Sequence, residues 1–126
     1  MRAVDTNVLV RLLTRDDEEQ SAAADDFIQA GAWVSHLVLL ETSWVLSSVY
    51  ALTSARLAKA IEMLLQHKSL IIQDADVVGS ALESFKKHPS LGFSDCLVLE
   101  GARKAGHLPL GTFDRRLGKL DGGHRL

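Results

Sequence analysis

The stretch Arg2-Ala3-Val4-Asp5-Thr6-Asn7-Val8-Leu9-Val10 decides the fold. Ala3 and Val4 precede a polar triplet, and Val8 and Val10 follow it, a pattern that reads as a short buried strand turning directly into a helix. Asp5 is then expected at the carboxyl end of a central strand, the edge of an open α/β sheet where loops and helix N-termini converge on ligands. Asp, Thr and Asn are equally good helix caps, so the triplet gains chemical meaning only if further carboxylates reach that edge.

Working outward, residues 8–13 continue as a short helix whose polar end is marked by Arg11, Thr14 and Arg15. The acidic run Asp16-Asp17-Glu18-Glu19 reads as the solvated first turn of a helix reaching about residue 30, with Ala22, Ala23, Phe27 and Ile28 as its apolar face. Gly31 ends it, and Ala32-Trp33-Val34-Ser35 is a candidate strand. Residues 38–50 form a helix apolar around nearly its whole circumference, expected to be deeply buried or half committed to a subunit contact. Thr53 or Ser54 caps a helix over residues 55–67, with Leu57, Ile61, Leu64 and Leu65 inward and Arg56, Lys59 and Glu62 outward. Leu70-Ile71-Ile72-Gln73 reads as a strand covered on both faces. Asp74 caps a helix that carries Val77, Val78, Ala81, Leu82 and Phe85 to about residue 87. A loop over residues 88–92 leads to a helix over residues 96–105, opened by Ser94 or Asp95 and closed by Gly106. The last strand lies in residues 108–113, and Asp114 begins a final turn. Strands alternating with helices predict an α/β protein, a parallel sheet between helical layers, in one domain of residues 1–126.

Composition narrows the class. With 47% apolar and 24% charged residues the chain can build an ordinary water-facing globule. The single cysteine, Cys96, excludes an internal disulfide framework and a cysteine-based zinc site. The net charge of −2 gives no broad attraction to nucleic acid, so a polyanion must be held by a local basic patch or a metal. Residues 33–52 are long enough to span a bilayer but carry Glu41, His36 and several hydroxyls, and read as core. The opening strand begins almost at Met1, so no leader is expected and a cytoplasmic location is the simplest reading.

Four acids stand in unusual places. Glu41 lies between Val38-Leu39-Leu40 and Trp44-Val45-Leu46, where a buried carboxylate must be paired, hydrogen-bonded, protonated or metal-bound. Asp95 opens a helix in apolar company, and Asp114 follows the last strand as Asp5 follows the first. Carboxylates gathered at one edge either hold extra protons or bind a cation. An all-oxygen set suits Mg²⁺ or Mn²⁺, which can grip a phosphodiester oxygen and activate a water. Thr6, Asn7, Ser94 and Thr112 sit beside the acids and are candidates to hydrogen-bond the ligand carboxylates; capping is the alternative role for each.

The ordered set Val-Asp-Thr-Asn-Val, Leu-Leu-Glu-Thr at Glu41, Phe-Ser-Asp-Cys-Leu at Asp95 and Gly-Thr-Phe-Asp at Asp114 resembles the PIN domains, and more narrowly the VapC-type toxins of type II toxin–antitoxin systems. The resemblance implies a three-layer PIN fold with a central, mostly parallel sheet of four or five short strands. It implies a metal-dependent endoribonuclease that hydrolyses RNA through a metal-activated water, with Asp5, Glu41, Asp95 and Asp114 as metal ligands and catalytic acids. A homodimer and a small cognate antitoxin follow from it too. Arg115 and Arg116 stand where many members carry a further acid, which leaves one or two ions open. The basic residues Arg115, Arg116, Lys119 and Arg125, with Arg11 and Arg15 after Asp5, are candidates to neutralise flanking phosphates. No aromatic ladder for stacking bases is visible, and the five histidines show no paired ligand spacing. The subunit contact is expected on the helix around Trp44 and Val45 or on its neighbour around Leu57 and Ile61. Two other readings remain at this point: a phosphoacceptor receiver-like signalling domain, and a PIN fold that binds without catalysing.

Overall fold

Val4 is buried while Arg2 and Ala3 are exposed, so the opening strand β1 (Arg2–Ala3) is shorter and more open than its sequence suggests. The computed structural model describes all 126 residues, which fall into two compact units, Met1–Ala75 and Asp76–Leu126.

In the first unit β1 pairs in parallel with β2 (Ala32–Val34), and β2 with β3 (Leu70–Ile72). The order is β1-β2-β3, so β2 is central in this sheet and β1 lies at its edge, against expectation. Parallel pairing requires crossovers, supplied by α1 (Thr6–Thr14) with α2 (Glu18–Ile28) and by α3 (His36–Ser48) with α4 (Ser54–Gln66). Side chains alternate across the pleat, so Leu70 and Ile72 are buried while Ile71 is 53% exposed beside Trp33. β3 is therefore covered on one face, not two.

Arg15 ends α1 in the left-handed region, at φ 53°, its N–H donating to the Arg11 carbonyl. Asp17 caps α2 by accepting from the Gln20 N–H at 2.9 Å. The buried positions of α2 are Ser21, Ala24 and Ile28; Ala22 and Ala23 face outward, which corrects the apolar face read from sequence. Ser21 can be buried because its hydroxyl donates to the Arg11 carbonyl. Phe27 is partly covered by the Arg2 guanidinium, 3.6 Å above the ring. Asp16 is more than a solvated residue: Arg11 and the Tyr50 hydroxyl donate to it at 3.0 and 2.8 Å, tying the end of α1 to the end of α3.

α3 is the largest departure. Ser35 caps it, and its buried face is Leu39, Thr42, Ser43 and Leu46, whereas Leu37 and Trp44 are about two-thirds exposed. The hydroxyls can turn inward because Thr42 donates to the Val38 carbonyl and Ser43 to that of Leu40, both at 2.8 Å. Deep burial of the whole helix is thus replaced by an outward apolar face. Thr53 caps α4, whose Leu57 and Ile61 are core residues, 5% and 1% exposed, and so cannot carry a subunit contact.

The second unit holds most of α5 (Ala75–Lys87), with α6 (Phe93–Ala105), β4 (Leu110–Thr112), α7 (Arg115–Gly118) and β5 (Gly123–Arg125). Asp74 enters α5 with φ 42°, a conformation Asp tolerates better than most residues. Phe85 of α5 and Phe93 of α6 meet edge to face at 6.0 Å. Ser94 and Asp95 lie inside the first turn of α6, which Gly92 precedes, rather than ahead of it. β4 and β5 form a second parallel sheet, so the five short parallel strands are arranged as three and two. The basic C-terminal stretch is therefore ordered sheet and helix. Its tight return depends on glycine: a Cβ on Gly118 would lie 2.7 Å from that of Arg125, and one on Gly123 would collide with the Leu117 carbonyl oxygen.

Candidate active site

Asp5 occupies the cap position of α1 with extended backbone, yet its side chain makes no capping hydrogen bond and is exposed. A carboxylate at a helix N-terminus that is not used by the helix is available to a ligand. Glu41 stands in the middle of α3 and is also exposed, not buried as its sequence neighbours suggest. The reason is helical geometry: Leu37 and Trp44, the neighbours on its face, are themselves exposed. The Thr6 hydroxyl donates to Glu41 Oε2 at 2.9 Å. The residue that follows Asp5 in the chain thus holds Glu41. Asn7 is exposed and lines a cavity of about 400 Å³ with Val8, Arg11, Gln20, Ala24 and Phe27.

In the second unit Asp95 is half-buried in the first turn of α6, with Ser94 exposed beside it. Asp114 caps α7, Oδ1 accepting from the Leu117 N–H at 2.8 Å, while its own N–H donates to Thr112 Oγ1 at 3.0 Å. Only one carboxylate oxygen serves the cap. Between these two residues lies Phe113, 80% exposed.

No three His, Cys, Asp or Glu side chains stand close enough together to hold a metal ion by themselves. Carboxylates without a cation repel one another, and a hard divalent ion needs only one or two of them with waters to complete its shell. The donor chemistry fits such an ion: the four residues offer oxygen alone, and in Asp5 and Glu41 that oxygen faces solvent.

The basic residues differ in how far they are committed. Arg11 donates to Gln20 at 2.6 Å, to Asp16 at 3.0 Å and to Tyr50 at 3.2 Å, and the Tyr50 hydroxyl first, then the Asp16 charge, raises its guanidinium above the ordinary range. Arg15 pairs with Asp25 through both terminal nitrogens, the closer contact being 2.6 Å. Arg115, Arg116 and Lys119 are exposed on and after α7, Arg116 with a long hydrogen bond to the Ser90 carbonyl at 3.4 Å. Cys96 is buried and burial pushes its thiol upward, so it offers no nucleophile at neutral pH.

Two features escaped the sequence reading. Tyr50 as the donor to Asp16 left no local signal, since the two are 34 residues apart. Phe113 did leave one: it is the only aromatic residue directly adjoining any of the four acids.

The sequence profile of the PIN domain matches residues 2–123, and the chain belongs to the PIN domain family. PIN domains are typically nucleases that use divalent metal ions and act on RNA, and the parallel α/β architecture is consistent with that fold. This membership removes the receiver-domain alternative. No curated protein and no solved structure matches the chain. No helix is long and apolar enough to cross a membrane.

Proposed function

We propose that this protein is a Mg²⁺- or Mn²⁺-dependent endoribonuclease of the VapC type, the toxin of a toxin–antitoxin pair, acting on RNA in the cytoplasm. The observation that carries the reading is the Asp5 carboxylate, exposed at the cap position of α1 and not used by the helix, while the next residue, Thr6, bonds Glu41. Asp5, Glu41, Asp95 and Asp114 are assigned as the residues that hold the cation. When bound, a divalent ion would supply positive charge to the phosphate and lower the pKa of a water for attack on phosphorus.

The protein's own groups do the remaining work. Thr6 holds Glu41 in one orientation, and the α7 cap holds Asp114, so neither acid must be ordered when substrate arrives. Arg115, Arg116 and Lys119 neutralise backbone phosphates next to Asp114. Arg11 and Arg15 are assigned to holding α1 against its neighbours, because their guanidinium groups are already engaged. The outward face of α3 around Leu37 and Trp44 is assigned to a homodimer contact. A small antitoxin is the expected inhibitor. The test is RNA cleavage by purified protein carrying E41Q or D95N: both variants should fold and lose activity. Full activity in either would remove that residue from the site, and an inactive wild-type protein would favour a binding module that does not catalyse.

A further inference from the structure

Phe113 is 80% exposed, more than any other large apolar side chain in the chain. Its backbone is held on both sides. Before it, the Thr112 carbonyl accepts from the Leu126 N–H at 2.8 Å, and Thr112 stands opposite Arg125 in the β4–β5 ladder. After it, Asp114 is bonded to Thr112 Oγ1 and to the N–H of Leu117. The ring thus stands on an ordered backbone and not on a frayed end.

Its immediate company decides what it can receive. Asp114, Arg115 and Arg116 follow it directly, and all three are exposed. A protein partner would be met by an apolar ring set among charges of both signs, a poor start for a dry interface. Single-stranded RNA presents the complementary pattern, an aromatic base face beside a phosphate, and such strands are held by stacking on rings with cations on the backbone. Resting on the ribonuclease reading above, we propose that Phe113 is a stacking platform for an unpaired base and positions the strand so that a phosphate comes to Asp114. Phe113 is on this account a positioning residue that selects single-stranded over duplex RNA. Its ring takes no part in bond breaking.

The experiment measures binding of a short labelled single-stranded RNA to the full chain in EDTA, so that no cleavage occurs. F113L should weaken binding roughly tenfold, F113W should restore it, and the added tryptophan fluorescence should be quenched by RNA beyond the quenching of the wild type. Duplex RNA of the same sequence should bind F113L and wild type alike. The proposal is overturned if F113L binds single strands as tightly as the wild type, or if the new tryptophan is not quenched. It is equally overturned if F113L keeps its RNA affinity but loses a subunit in solution, which would make the ring a protein contact. Wild-type protein that binds through Phe113 yet cleaves nothing in Mg²⁺ or Mn²⁺ would sustain the platform and sink the nuclease reading. Cleavage by wild type with unchanged binding in F113L would do the reverse.

Discussion

Asp114 uses one oxygen to cap α7, so its cap can be separated from the metal-binding role proposed for its charge. Asn caps a helix as well as Asp, whereas Ala loses the cap at a typical cost of about 1 kcal/mol. D114N is therefore expected to unfold in urea close to the wild type and D114A measurably earlier, with RNA cleavage lost in both. A D114N protein that cleaves normally would reduce Asp114 to a cap. Asp16 gives a second test at this scale. Its carboxyl is held below the usual range first by the hydroxyl of Tyr50, then by that of Thr14, with the Arg11 charge adding to them. A group whose pKa is lower in the folded state contributes stability above its unfolded value and loses it as pH falls through the folded one. Y50F should accordingly have a lower thermal midpoint than the wild type near neutral pH, and the gap should close in the acid range. A gap independent of pH would contradict the assignment. The misreading of Glu41 also belongs here. Its sequence neighbours are apolar, but on a helix the residues that share its face are Leu37 and Trp44, and these are exposed. Neither adjacency nor the helical period reveals this, because the neighbours on that face are apolar as well.

The ends of α4 and α6 were legible because their signals are local, Thr53 capping the one and Gly106 ending the other in the left-handed region at φ 83°. Ser35, read as a strand residue, and Asp17, read as part of a solvated turn, are instead the caps of α3 and α2. β5 was not legible, since Gly-His-Arg carries no apolar alternation and its pairing with β4 depends on how closely α7 packs. The orientation of α3 was hidden for a different reason: serine and threonine satisfied by their own helix can be buried in place of leucine. The close approach in the β4–α7–β5 return makes a paired prediction. G123A places a methyl against the Leu117 carbonyl and should cost roughly 1–3 kcal/mol in urea denaturation. G101A, inside α6 with no neighbouring atom within 4 Å of the added carbon, should instead gain about 0.5–1 kcal/mol. Equal effects at the two positions would refute the packing argument.

At the scale of the molecule, a family profile that spans residues 2–123 includes all four acids, two in each compact unit. Chain order alone places acids at strand ends and helix starts, which is why Asp5, Asp95 and Asp114 could be located from the sequence, while their exposure depends on packing and could not. The outward face of α3 adds a prediction about assembly. The protein should be dimeric at micromolar concentration by light scattering, and W44E, at a position 66% exposed, should be folded and monomeric. A monomeric wild type, or an unchanged dimer in W44E, would move the contact elsewhere. The central claim is that exposed carboxylates beginning with Asp5 hold a divalent ion that makes this chain a ribonuclease. The most direct measurement compares cleavage of labelled single-stranded RNA by wild type and D5N, each in Mg²⁺, Mn²⁺ or EDTA. The account predicts fragments from the wild type with either metal, none in EDTA and none from D5N. Cleavage that persists in EDTA, or that D5N retains in full, would contradict it.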